Sequence, residues 1–192
     1  MYKKKLLAFL AAAYGISWVI WMPNVLAAHF DVGWEHSNWL HIAGGFGPFL
    51  GALLTTVFFG GWKGLGDYVR KKILSFPGMR WIIIGAGMPV VFFLAAFALL
   101  GVFTGDWVIL PQVGLNSKVP FTNPLLIWLL WCFFYGLGEE GGWRGFLFPL
   151  LEEEHSARMA TLYTAFIWIP WHLPVFSYNK DFRTLGVFCA AG

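Results

Sequence analysis

Long apolar runs, each near the length that crosses a bilayer, dominate the chain. A transmembrane helix needs about 20 apolar residues, and residues 6–28 and 81–103 contain no charged side chain at all. Three further runs predict spans at 39–60, 124–151 and 157–176. A sixth run begins at Leu185. The pattern predicts an all-α transmembrane helical bundle, one domain over residues 1–192, with five full spans and the start of a sixth.

Composition supports a membrane protein. The chain is 58% hydrophobic, 20% aromatic and 12% charged, whereas soluble domains carry about 25% charged residues. Twelve tryptophans suit rings placed at two water–lipid interfaces. Cys132 and Cys189 both lie in apolar runs, so we interpret them as small hydrophobic residues rather than a disulfide or metal site. The net charge of +3 is accounted for by basic loops, which argues against nucleic-acid binding.

Lysines and arginines predict the orientation. They cluster at the N-terminus, in Lys3–Lys5, and in the 61–80 segment, whereas the loop after the first span has none. Because basic loops stay in the cytoplasm, we expect the N-terminus, the 61–80 segment and the 152–157 turn to face it. The first apolar run is too long for a cleaved signal peptide. The 61–80 segment predicts an interfacial helix, whose basic residues either only set topology or also bind lipid or substrate.

The fourth run is interrupted by charges. The stretch GLGEEGGWRGFLFPLL places Glu139, Glu140 and Arg144 in an apolar span. A charge at the bilayer centre costs at least about 2.5–3.5 kcal/mol, so it marks a functional site by default. Glu140 and Arg144 have the i, i+4 spacing of a helical ion pair. Glu139 points about 100° away and lacks that partner, which suits a general base.

Hairpin geometry predicts that Glu139 meets a histidine. Glu139 lies 12 residues before Leu151, and His172 lies 15 residues after Ala157. At 1.5 Å per residue, these offsets place the two side chains about 18 and 22 Å from the turn. We therefore expect a carboxylate and an imidazole at similar depth.

Aromatic and small residues surround this pair. Trp143 and Trp168 lie one turn from Glu139 and His172 respectively, where they can wall a site. Glycines in the same turn leave room for close packing, a substrate or water. The alternative interpretation is a buried salt-bridge network that only fixes helix packing. It explains the Glu140–Arg144 pair well. It explains Glu139 and His172 less well, because both would then be buried without a partner that the sequence shows.

The motifs resemble those of the CPBP family of intramembrane proteases. Glu139-Glu140-x-x-x-Arg144, followed on the next span by the aromatic-x-x-x-His pattern of residues 168–172, is similar to that family's first two motifs. The family includes CAAX prenyl endopeptidases and bacteriocin-immunity proteins. The resemblance covers a motif-bearing hairpin at 124–178.

The resemblance implies an endopeptidase in which Glu139 activates water and His172 orients or polarises it. Glu140 and Arg144 would support the site or position the substrate. A zinc or other divalent metal bound by Glu139 and His172 is compatible with the family. The implied partners are membrane lipids and a membrane-associated peptide or protein, prenylated CAAX-type substrates among them. The implied location is a bacterial cytoplasmic membrane, and the pattern leaves the oligomeric state open.

A third family motif, with a histidine on a later span, is missing, because no histidine follows His172. We therefore expect a chain cut short of that motif or an incomplete homologue. Two other classes stay open. A non-catalytic membrane-binding or bacteriocin self-immunity protein could use the same residues. A transporter is disfavoured by the absence of an internal repeat.

Overall fold

The computed structural model describes residues 1–105, 107 and 123–179. Most of these residues are helical, and none of them lies in a strand. The α-helices are α1 (Tyr2–His29), α2 (Asn38–Gly44), α3 (Gly47–Tyr68), α4 (Met79–Thr104), α5 (Pro124–Trp131), α6 (Glu140–Gly142), α7 (Phe148–Glu152), α8 (Ala157–Trp171) and α9 (Leu173–Tyr178). Three π-helical segments lie among them: Val69–Ile73, Cys132–Glu139 and Trp143–Leu147.

The helical class predicted from the sequence is confirmed, and the number of spans is confirmed only in part. Among the residues that the structure describes, three helical stretches are long and apolar enough to cross a membrane: Tyr2–His29, Asn38–Ile73 and Met79–Thr104. The fourth predicted span is helical throughout 124–152 but consists of short α and π segments. The fifth divides at His172 into α8 and α9. The count of five therefore stays a prediction, and the start of a sixth lies outside the described residues, as does Cys189.

The described residues form two compact units. One contains residues 74–127 and is built around α4. The other contains residues 1–73 and those from 128 onward, and it holds every candidate site residue. Its core consists largely of aromatic rings, with Phe9, Trp143 and Trp171 fully buried.

Glycines bring α1 and α3 into close contact within the second of these units. A Cβ atom on Gly47 or Gly51 would overlap the α1 backbone around Ala13, and one on Gly44 would overlap the Trp21 ring. Small residues at such positions let two helices approach at backbone distance. The glycine-rich second run therefore packs within the chain.

Two interruptions shape the second hydrophobic run. The chain breaks between α2 and α3, and Pro48 occupies the first turn of α3. A proline is tolerated there because its missing N–H has no intrahelical acceptor. The run ends at Gly61, whose positive φ of 61° turns the chain. Beyond it the basic segment is helical through Ile73; its place at a membrane surface stays a prediction.

The N-terminus lies beside the turn that joins α7 to α8. The rings of Tyr2 and His155 have centroids 6.3 Å apart, and His155 also packs edge-on against Tyr163 at 4.9 Å. The basic N-terminus and the acidic turn are thus at one end of the unit, as the charge pattern predicts. That this end faces the cytoplasm stays a prediction.

Candidate active site

Residues 124–152 form one continuous helix, the motif-bearing helix, which contains the π segment Cys132–Glu139. Glu139 is the last residue of that segment, and only 9% of it is exposed. Its neighbour Gly138 lies against the α2–α3 break: a Cβ atom there would be 3.0 Å from the carbonyl oxygen of Gly45. Gly141 and Gly142 press in the same way against Phe49 and Pro48 at the start of α3. Three of the motif glycines therefore serve close packing, which buries the Glu139 carboxylate.

Trp168 contacts both members of the predicted pair. Its indole Nε1 donates a hydrogen bond to Oε2 of Glu139 at 3.4 Å. Its ring packs edge-on against the imidazole of His172, with centroids 4.6 Å apart. The two motifs on successive hydrophobic runs thus meet at one tryptophan.

His172 occupies the break between α8 and α9. Pro170 and Pro174 flank it, and its backbone N–H bonds to Ile169 rather than to the carbonyl of Trp168 four residues back. The carbonyl oxygen of Trp168 instead forms a hydrogen bond with Nδ1 of the His172 ring, at 3.1 Å. Since a carbonyl only accepts, Nδ1 must carry the hydrogen, and in the neutral imidazole Nε2 then carries the lone pair. The break therefore sets the tautomer of the candidate catalytic histidine.

Two side chains of α1 donate hydrogen bonds to backbone carbonyls beside this break. The indole of Trp18 donates to the carbonyl of Trp171 at 2.9 Å, and the hydroxyl of Tyr14 donates to the carbonyl of Ile167. The carbonyl of Trp171 lies at the end of α8, and the N–H of Val175, four residues on, bonds to His172 instead. Sequence reasoning missed both residues. Their i, i+4 spacing, with polar atoms in an otherwise apolar span, is the signal that could have found them.

The ion pair predicted from spacing is present, but it is not buried. Arg144 bonds to Glu140, and the side chains are 69% and 42% exposed. The alternative interpretation required this pair to belong to a buried salt-bridge network. The outward-facing side chains of this pair do not fit that alternative, whereas Glu139 lies in the core.

Trp143 packs in the core behind the His172 ring and also contributes to the wall of the neighbouring cavity. It is fully buried, and its ring packs edge-on against Trp171 at 5.5 Å and against Phe9 at 5.6 Å. Trp171 in turn packs against His172 at 4.7 Å. Trp143 thus supports the histidine through one intervening ring.

A cavity of about 530 Å³ opens beside this cluster, within the range of small-ligand pockets. It lies between the motif-bearing helix and α8. Its lining residues are Glu140, Trp143, Arg144, Phe148, Thr161, Thr164, Ala165 and Trp168. The wall is mostly apolar, with the ion pair as its charged part, and Trp168 joins it to the Glu139 carboxylate.

The metal expected from the resemblance lacks a complete set of ligands in the part of the chain that the structure describes. Within residues 1–105, 107 and 123–179, no group of three or more His, Cys, Asp or Glu side chains could hold a metal ion. A catalytic zinc usually takes three protein ligands. Glu139 and His172 supply two donors, so we derive no step through a metal.

Comparison with known proteins confirms the family resemblance over the motif-bearing region. Residues 121–191 match the family described as type II CAAX prenyl endopeptidase Rce1-like. The matched range contains every candidate site residue predicted from the sequence. No curated protein and no solved structure matches the chain.

Proposed function

Because its motif-bearing region matches a family of CAAX endopeptidases, we propose that this protein is an intramembrane endopeptidase that uses water activated by Glu139. The observation that carries the proposal is the contact of Trp168 with both Glu139 and His172. A buried carboxylate and an imidazole of fixed tautomer, beside a cavity, are the parts that general-base hydrolysis requires.

In the proposed reaction a water molecule donates one hydrogen bond to the Glu139 carboxylate and the other to Nε2 of His172. Glu139 takes a proton as the water oxygen bonds to the carbonyl carbon of the substrate, which gives a tetrahedral intermediate. The intermediate collapses when the C–N bond breaks and the proton on Glu139 passes to the leaving nitrogen. The products are a carboxylic acid and an amine, and Glu139 is again ionised.

The cavity beside Trp168 is the proposed binding place of the substrate. Its apolar wall suits the side chains of a membrane-associated peptide, including a prenylated one. Arg144 and Glu140 offer a cation and an anion at the exposed part of the wall, where they can position the polar backbone of the peptide. Within the described residues, neither forms a hydrogen bond or ion pair with the Glu139 carboxylate, so we assign them to substrate positioning.

Replacing Glu139 by glutamine tests the proposal, because it keeps the side-chain shape and removes the base. The matched control is Glu152→Gln, the same change at an exposed residue of the same helix. Each protein is reconstituted in liposomes with a library of membrane-associated peptides, and cleavage is followed by mass spectrometry. We expect Glu139→Gln to lower the rate by about 10²–10⁴-fold and the control to leave it unchanged.

Two results would overturn the proposal. The first is equal cleavage by wild type and Glu139→Gln. The second is no cleavage by any variant, although all variants are folded, unfold cooperatively and do so at the same temperature. In either case the non-catalytic alternative, a membrane-binding or immunity protein, takes the place of the endopeptidase.

A further inference from the structure

A second cavity, remote from Trp168, lies at the end of the unit where the basic N-terminus is found. It has a volume of about 320 Å³. The first turns of α1, both sides of the Gly61 turn in α3, and the motif-bearing helix near Phe146 and Leu150 all contribute to it. Its floor is apolar and its rim is charged.

The rim carries more positive than negative side chains. Lys5, Lys71 and Lys72 line the cavity together with Asp67 and Glu153. Asp67 is already paired: Lys71 lies 3.6 Å from its carboxylate, and an arginine next to Lys71 in sequence lies at 3.2 Å. Within the described residues, Lys5 and Lys72 make no ion pair. Two lysines are thus available to an anion at this rim.

Two threonines in the wall lack the partner that helical threonines usually find. Elsewhere in the structure, Thr104, Thr161 and Thr164 each donate to the carbonyl four residues back, at 2.8–2.9 Å. The hydroxyls of Thr55 and Thr56 are buried and have no hydrogen-bond partner among the described residues. Both residues line the cavity, and a helical threonine has two accessible χ1 wells. Rotation therefore offers two hydroxyl donors to a ligand in the cavity.

From these features we propose that this cavity binds the phosphate of an anionic membrane phospholipid. Lys5 and Lys72 supply the charge and Thr55 and Thr56 the hydroxyl donors. Phosphate oxygens accept from both kinds of group. The cavity favours a phosphate that belongs to a lipid. Phe59, Phe146 and Leu150 give it an apolar floor, which can contact the start of an acyl chain but forms no favourable contact with free phosphate.

The site is connected to the motif-bearing helix. Tyr68 lines the cavity, and its hydroxyl donates to the carbonyl of Gly141 at 2.6 Å. Gly141 lies two residues after Glu139, so a lipid that packs against Tyr68 braces the helix that carries the carboxylate. Binding itself does not depend on peptidase activity, and it is measured without it.

The test compares the full chain with two double variants of equal charge. Lys5→Gln with Lys72→Gln removes the two rim charges, and Lys4→Gln with Lys63→Gln removes two exposed lysines outside the cavity. Each protein is prepared in nanodiscs of phosphatidylcholine with and without phosphatidylglycerol. Native mass spectrometry counts the retained lipid, and thermal unfolding reports its effect. A third variant, Thr55→Val with Thr56→Val, removes the hydroxyls while keeping shape.

We expect wild type and the exposed-lysine control to retain one phosphatidylglycerol and to unfold at a higher temperature in its presence. The rim variant should bind phosphatidylglycerol at least about tenfold more weakly than wild type. The affinity of the valine variant should lie between those two. Equal retention by the rim variant and the control would overturn the proposal, as would equal retention of both lipids. Stabilisation by inorganic phosphate alone, equal to that by phosphatidylglycerol, would overturn the lipid assignment in favour of free phosphate.

Discussion

Replacing Trp168 by phenylalanine removes the indole N–H that donates to Glu139 but keeps an aromatic ring beside His172. The N···O distance of 3.4 Å exceeds the usual range of about 2.7–3.2 Å. Hydrogen bonds to charged groups contribute about 1.5–3 kcal/mol at normal length, so this longer one should contribute about 1 kcal/mol. If the bond positions the carboxylate for the attacking water, its loss lowers the rate about fivefold.

The assay is single-turnover cleavage of a fluorogenic membrane peptide in proteoliposomes, with Trp168→Ala as the comparison. The alanine variant also removes the ring that packs against His172 at 4.6 Å, so its rate should fall further than that of Trp168→Phe. Unfolding temperatures show whether either protein is damaged globally. Wild-type activity in Trp168→Phe, or a loss as large as that of Glu139→Gln, would refute the positioning role.

Two further changes test the packing of the motif-bearing helix. A Cβ atom on Gly142 would overlap the backbone of Pro48, so Gly142→Ala should destabilise the protein by about 1–3 kcal/mol in a detergent unfolding titration. Gly136→Ala is its control, because no atom lies within 4 Å of a Cβ there; a similar loss from both would contradict the packing argument. Tyr68→Phe removes the 2.6 Å hydrogen bond to Gly141 and should cost about 1 kcal/mol; an unchanged unfolding free energy would show that this bond contributes nothing.

Much of the helical layout could be predicted, because an apolar run and its interruptions leave clear marks in a sequence. The predicted span 6–28 lies inside α1, and 81–103 lies inside α4. The predicted end of the second run at Gly60 adjoins the Gly61 turn. Charge spacing also identified the Glu140–Arg144 pair.

The π-helical turns could not be predicted from the same pattern. We placed Glu139 and Glu140 on an ideal helical wheel, whereas the chain bonds i to i+5 through residues 132–139 and again through 143–147. What decides the local winding is tertiary: Gly138 and its neighbours press against the start of α3. Spacing alone therefore found the ion pair but misjudged its burial.

The buried face of α1 was equally hidden. Apolar side chains cover every face of α1, so its hydrophobic pattern does not distinguish the side that packs against the core from the side that faces outward. Tyr14 and Trp18 look like ordinary members of an aromatic-rich span. Their importance comes from the hydrogen bonds that they donate to carbonyls beside the break at His172, 153 residues further along the chain.

The hold of α1 on that break also has a consequence for how the protein is made. Both hydrogen bonds join residues 153 positions apart, so the ribosome, at about 5–20 residues per second, needs about 8–30 s between the two partners. During that interval α1 can pair with α3, whose glycines accept it, but its tyrosine and tryptophan donors still lack their acceptors. Assembly of the candidate pair, Glu139 and His172, is thus a late step of biogenesis: it waits until the motif-bearing hairpin docks onto the first helix.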